Sequence, residues 1–339
     1  MISEELAMIW NRVELFNVEA IETKPNGAVR MLRFPQNVMD VFGHEGNKYA
    51  IVVGRMTTGC EIRFVCEDAD VFLSAEDTEG TVEIFRGDFL VRTQKLHPGV
   101  RTRLALRSNL NVDKFDLSGV KTNFSTDVWR IVFDHDFCGT VDEICPFGEI
   151  RPPMPSEVPA KKMIAYGSSI THGACAGFFT NSYIAHTAKL LGADVQCKGM
   201  GGSCFCERAV AEYLPEVEWD LAVLELAVNM LGIFPVETFR ERAKYVVECA
   251  LRKGKPVVVI SHFSHFKDLP GAENAAANDA YIAVLQEICQ ELRCDNLFYI
   301  NGREIVEDFT WLSADLIHPS LFGHAMMGRK IAEKIQNLI

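Results

Sequence analysis

The sequence predicts an α/β protein in which an antiparallel β-sandwich of the jelly-roll kind precedes a doubly wound domain with a parallel sheet. Three observations carry this expectation. Before about residue 150, short runs alternate apolar and polar residues between turn signals. Residues 151–160 are rich in proline, which removes backbone donors and disfavours helix on its N-terminal side. Beyond them, continuous apolar runs alternate with segments of helical periodicity, the pattern of strands buried on both faces and joined by helical crossovers. The expected organisation is a sandwich over 1–150, a linker over 151–160 and an α/β domain over 161–339. A chain of 339 residues also exceeds what one hydrophobic core usually organises.

In the first part, Cys60, Ile62 and Phe64 share one face of a strand with period two. Thr81–Phe85 and Phe89–Thr93 flank Arg86-Gly87-Asp88 and read as a hairpin. Tyr49–Val53, Arg103–Leu106 and Val128–Phe133 read as further strands. Many short strands without helical periodicity point to a jelly roll. In the second part, apolar strands are expected at Met163–Tyr166, Asp194–Cys197, Leu221–Leu226, Pro256–Ile260 and Leu297–Ile300. Helical spacing fits Ser182–Leu191, Pro235–Arg252, Asn274–Leu292 and Leu321–Leu338. In such sheets ligands collect at the carboxyl ends of the strands.

A formal net charge of -12, without any long run of Lys or Arg, argues against nucleic-acid or anionic-membrane partners. No stretch approaches the roughly 20 apolar residues that span a bilayer. Met1-Ile2-Ser3-Glu4-Glu5 lacks the basic and apolar regions of a signal peptide. The 11 cysteines follow no regular spacing and read as reduced core residues, so a cytoplasmic location is expected. A chain already cleaved of a leader would read alike. Cys204 and Cys206 form a close pair, but no further ligands stand nearby in sequence, so no metal is expected.

Four segments that end a predicted strand or precede a predicted helix each offer a group suited to acyl transfer. Ile164–Gly173 breaks from an apolar strand into a turn that presents Ser168 and Ser169; Ser169, two residues past Gly167, is the favoured nucleophile. Serine is a poor nucleophile at neutral pH unless an imidazole takes its proton and an anion holds that imidazole's tautomer. Asp315-Leu316-Ile317-His318 supplies both, because a turn lets the carboxylate bend back to the ring three residues on. Gly199–Ser203 is a glycine-rich turn whose Gly202 N–H suits developing negative charge. Asn229 ends an apolar strand with a carboxamide donor. Taken singly, the serine turn, the glycine stretch and a lone His before Pro are more often structural, and Asn229 is as often a cap.

Taken in order, the four resemble the SGNH, or GDSL-type, hydrolase superfamily over residues 161–339. Gly167-Ser168-Ser169-Ile170-Thr171 is similar to its Gly-Asp-Ser-Leu block. Gly202 and Asn229 match the second and third blocks, and Asp315 and His318 match the last, with Pro319, Gly323 and His324 following. The resemblance implies a flavodoxin-like three-layer α/β/α fold, with Ser169 as nucleophile, His318 as base and Asp315 as its orienter. It also implies an oxyanion hole from Ser169 N–H, Gly202 N–H and the Asn229 side chain. Ser168, Ser203 and Met230 depart from the family's usual residues, which leaves the subfamily open. The sandwich ahead of this domain is similar in layout to two-domain carbohydrate esterases.

The expected activity is hydrolysis of short acyl esters through an acyl-enzyme, on a small-molecule or oligosaccharide ester such as an O-acetylated sugar. No cofactor is expected. A lipase, thioesterase or acyltransferase would use the same residues, and an inert carbohydrate-binding protein is the alternative from another class. Tyr166, Trp311 and His262 are the expected substrate contacts, with Phe178, Phe179, Phe205 and His265 near the same edge. Oligomeric state is left open.

Overall fold

A computed structural model describes residues 8–44, 46–273 and 275–339. Met1–Glu5, read above for a leader, and Asn274, the expected first residue of a helix, lie outside this set. Contacts divide the chain into two compact units. The first comprises the described residues up to Gln36, Gly54–Ala160 and Gly192–Asp194; the second comprises Asn37–Val53, Lys161–Leu191 and Val195–Ile339.

The first unit carries strands β1 (Met8–Trp10), β2 (Val13–Phe16), β3 (Ala20–Thr23), β4 (Val29–Leu32), β5 (Glu61–Val65) and β6 (Asp68–Ala75). They are followed by β7 (Gly80–Arg86), β8 (Phe89–Leu96), β9 (Thr102–Leu106), β10 (Val128–Phe133) and β11 (Gly139–Phe147). Two antiparallel sheets result, in the orders β1-β2-β5-β10-β7-β8 and β3-β4-β11-β6-β9. The expected hairpin is β7–β8, turning at Gly87 with φ +58°. Ile62, Phe64, Ile84, Trp129 and Ile131 from one sheet share a core with Val71, Leu73, Leu104 and Val141 from the other. Each such side chain contributes about 1.5–3 kcal/mol by leaving water.

Alternation turns Glu61 and Arg63 of β5 away from that core, yet both are buried. Arg63 forks onto Asp194 at 2.5 and 2.8 Å and reaches Glu61 at 2.8 Å. Arg130 holds Glu61 at 2.9 and 2.7 Å. Burial alone would raise the Glu61 carboxyl; the two guanidinium groups outweigh it and hold the acid at about 2.

Two short helices, α1 (Gln36–Met39) and α2 (Lys48–Arg55), leave the connection between β4 and β5, and Asn37–Val53 is counted with the second unit. Tyr49–Val53, expected as a strand, is therefore helical. Ala50 and Val53 are buried while Tyr49 and Val52 are exposed, a spacing of three rather than two. A run of five apolar residues does not by itself separate these periods.

The rest of the second unit alternates β12 (Lys161–Gly167), α3 (Ser169–His172), α4 (Tyr183–Leu191), β13 (Ala193–Gly199), α5 (Arg208–Tyr213) and β14 (Leu221–Glu225). It continues with α6 (Val236–Leu251), β15 (Val257–Ile260), α7 (Ala275–Leu292), β16 (Leu297–Ile300) and α8 (Leu321–Ile335). The sheet order is β13-β12-β14-β15-β16, with β12, β14, β15 and β16 paired in parallel. In sequence rank this is 2-1-3-4-5, the doubly wound order, with its switch point between β12 and β14. Every residue of β14 and β15 is buried, which explains why β15 and the first four residues of β14 are apolar. Helix α4 packs on α8, and α6 packs on α5 and α7, giving the three-layer α/β/α arrangement. No described helix is long and apolar enough to cross a membrane.

Candidate active site

Of the strands flanking the switch point, β14 ends at Glu225 and β12 runs out through Gly167 into Ser168, and this is where the four sequence segments meet. β12 runs into Ser168, whose hydroxyl caps α3 by accepting from Ile170 N–H at 3.2 Å. Ser169 is the first residue of α3. Its Oγ lies 2.7 Å from His318 Nε2. His318 Nδ1 donates to Asp315 Oδ2 at 2.6 Å, so the tautomer leaves the Nε2 lone pair for the serine proton.

Asp315 is fixed by its own loop. Its Oδ1 accepts from Ser313 Oγ at 2.7 Å, Ile317 N–H at 2.9 Å and His318 N–H at 3.0 Å. Partial burial pushes against ionisation, but the His318 ring, these backbone donors and the Ser313 hydroxyl prevail, holding the carboxyl well below the usual carboxylate range. Leu316, with φ +55°, makes the turn that folds carboxylate and ring together. Phe266 N–H ties this loop back through Leu316 O at 2.8 Å.

The glycine turn after β13 is held against the serine turn. Met200 N–H donates to Gly167 O at 2.8 Å, and a Cβ on Gly199 would stand 2.5 Å from the His172 nitrogen, so only glycine fits there. A Cβ on Gly201 would lie 3.6 Å from Ser169 Cβ. Asn229 Oδ1 accepts from Cys204 N–H at 3.2 Å, which orients its amide group and joins the third segment to the second. Among the described residues no acceptor is found for Ser169 N–H, Gly202 N–H or the Asn229 amide donors.

The expected substrate contacts separate on burial. Tyr166 is fully buried, its hydroxyl donating to Glu207 Oε2 at 3.1 Å. His262 is fully buried as well, and desolvation, with His265 beside it, pushes its pKa down to about 3. Neither ring presents surface to a ligand, because each follows or ends a strand whose side chains pack inward. Trp311 keeps part of its surface free, packed edge-on to Phe322. Cys204 and Cys206 are buried thiols, and all 11 cysteines are free.

Sequence reading passed over two groups beside the site. Glu225, the last residue of β14, is fully buried and accepts from Ser168 N–H at 2.8 Å and Thr171 Oγ1 at 3.2 Å through Oε2. Its Oε1 finds no partner among the described residues, and burial pushes its pKa up to about 7. A carboxylate ending an apolar strand was its only signal. Tyr49 of α2, 54% exposed, places its ring 3.4 Å from where a Cβ on Gly202 would be. Asn47 anchors the start of that helix, donating to Ser203 O at 2.9 Å and to Glu207. Nothing in sequence links residue 49 to residue 202.

A doubly wound sheet with a serine turn after its first strand and an Asp-x-x-His loop before its last helix defines the SGNH hydrolase fold. The chain belongs to the GDSL-like lipase/acylhydrolase family, whose pattern it matches over residues 160–337. Its fold is similar to that of salicylyl-acyltransferase SsfX3 from a tetracycline biosynthetic pathway (15% identity, 98% of this chain and 96% of that one, TM-score 0.81). It is also similar to family two carbohydrate esterases from Cellvibrio japonicus (12% identity, 98% and 97% covered, TM-score 0.65) and Clostridium thermocellum (14%, 83% and 92%, TM-score 0.61). At these identities the likeness is one of fold. No curated protein sequence matches the chain.

Proposed function

We propose that the chain is a serine esterase that cleaves short acyl esters, with O-acetylated carbohydrate as the substrate class. The carrying observation is the unbroken path from Ser169 Oγ to His318 Nε2 at 2.7 Å and from His318 Nδ1 to Asp315 at 2.6 Å. In this reading Ser169 Oγ attacks the ester carbonyl while His318 Nε2 takes its proton. The oxyanion is held by Ser169 N–H, Gly202 N–H and the Asn229 amide. Collapse passes the His318 proton to the leaving alcohol and leaves Ser169 acylated. Water, deprotonated by His318, then releases the acid and restores the serine. Asp315 keeps Nδ1–H in place throughout and stabilises the imidazolium. The two-domain carbohydrate esterases among the similar folds support the choice of substrate class. The free thiols support a cytoplasmic location, which fractionation of the source cells would test.

A second reading, acyl transfer to an alcohol other than water, is favoured by the 0.81 TM-score to SsfX3 over nearly the whole chain. Both readings share the acyl-enzyme and differ in what resolves it. The test is hydrolysis of 4-nitrophenyl acetate, butyrate and octanoate, and acetate release from acetylated xylose, by wild type and Ser169→Ala. Acetate-selective turnover lost in Ser169→Ala is expected. Octanoate preference, or turnover only when a second alcohol is added, would replace the substrate assignment. Near-native rates in Ser169→Ala would sink the serine mechanism.

A further inference from the structure

We propose that Cys175, Asp315 and His318 form a site for a zinc-like divalent cation, and that its occupancy switches the esterase off. A thiol sulfur, a carboxylate oxygen and an imidazole nitrogen from these residues lie within 4.8 Å of one another. Donors around one tetrahedral zinc stand about 3.5 Å apart, given bond lengths of about 2.0–2.3 Å, so small side-chain rotations close the set. All three residues reach solvent, so an ion arrives without opening the fold. The donor set is mixed sulfur, nitrogen and oxygen, which suits zinc and disfavours magnesium and calcium.

Cys175 is brought there by the nucleophile's own turn. Ser169 O accepts from Gly173 N–H and Ala174 N–H, each at 3.0 Å, which closes α3. His324 Nε2 then pins Ala174 O at 2.9 Å, while Nδ1 accepts from Tyr183 N–H at 3.1 Å. Cys175 follows in the left-handed region at φ +65°, a conformation that a cysteine keeps only where its surroundings impose it. The Cys175 backbone is thus held on one loop and Asp315 and His318 stand on another. The serine mechanism assigns Cys175 no part.

The consequence is electronic. A cation bound through a His318 nitrogen either occupies the lone pair that receives the Ser169 proton or displaces the proton shared with Asp315. In both cases the base is lost, and chelation of the ion restores it. The inhibition rests on the esterase reading; the binding does not.

The experiment titrates the full-length protein with Co2+ and Zn2+, following thiolate-to-cobalt charge-transfer absorption and calorimetry, for wild type, Ser169→Ala, Cys175→Ala and Cys175→Ser. In parallel, 4-nitrophenyl acetate hydrolysis is measured with buffered zinc and again after EDTA. One equivalent of metal is expected in wild type and Ser169→Ala, with affinity at least tenfold lower in both Cys175 variants. EDTA-reversible inhibition is expected in wild type, and the ratio of rates without and with zinc should fall at least tenfold in the Cys175 variants. A cobalt–thiolate band absent from wild type, or unchanged in both Cys175 variants, would overturn the site. Binding without inhibition of a Ser169-dependent activity would overturn the switch. Cys175-dependent binding in a protein without esterase activity would keep the site and remove the esterase reading instead.

Discussion

The proposed chemistry turns on hydrogen bonds that the Asp315 loop makes to itself. Asp315→Asn keeps the shape of that loop but offers the His318 ring the wrong partner, which frees the tautomer. The expected result is a loss of about 10⁴ in kcat with folding intact, read from steady-state kinetics beside circular dichroism. Asn229→Ala removes one donor of the proposed oxyanion hole and should cost about 10²–10³ in kcat with little change in KM. A comparable rise in KM at constant kcat would instead make Asn229 a ground-state contact. These residues could be proposed from sequence because the chemistry needs particular atoms, and few residue types carry them. Tyr166 and His262 were legible as residue types only. Whether an aromatic ring faces a cleft or the core depends on which way its strand end packs, and both are fully buried.

At the scale of elements, the serine turn leans on β14 and α2 covers the glycine turn. Tyr49→Ala removes a ring that lies beside Gly202 and is expected to change the ratio of acetate to octanoate turnover by severalfold while leaving thermal stability nearly unaltered, since the ring is half exposed. An unaltered selectivity would separate Tyr49 from the acyl pocket. The His-Pro…Gly-His stretch is explained by close approach: a Cβ on Gly323 would stand 2.2 Å from Trp311 O. Gly323→Ala should therefore force α8 away from the Asp315 loop, lowering both Tm and kcat. Helices α6 and α7 were readable to within a residue because burial along them repeats over several turns, whereas α8, expected to Leu338, ends at Ile335. The segment Tyr49–Val53, expected as a strand, was not readable, because five residues span little more than one helical turn.

Across the molecule, two buried acids oppose each other in their response to pH. Glu61, held at about 2, stabilises the fold above about pH 4.5 and loses that contribution as pH falls toward 2. Glu225, raised to about 7, carries no such cost below about pH 4.5, and its cost grows to a full value above pH 7. Glu225→Gln should therefore gain stability relative to wild type as pH rises from 4.5 to 7.5, and Glu61→Gln should lose it as pH rises from 2 to 4.5, both read by urea unfolding. A Glu225→Gln difference that stays constant with pH would mean that the carboxyl does not titrate in that range. A chain beginning at Lys161 would lack Asn47 and Tyr49 and leave Glu207 without one of its partners. It is expected to unfold at lower urea than the full-length protein.

By itself the sequence determined the class of each half, the strands and the longer helices after residue 160, and which side chains to propose for acyl transfer. All of these follow from local periodicity and from the scarcity of side chains that can do the chemistry. Only the tertiary structure decided that Asn37–Val53 leaves the sandwich and joins the second unit, that Glu225 sits under the serine turn, and that Cys175 meets Asp315 and His318. Those are contacts between residues some 60 to 160 positions apart, made where the chain folds back on itself, and no local pattern encodes which distant side chain a turn will face.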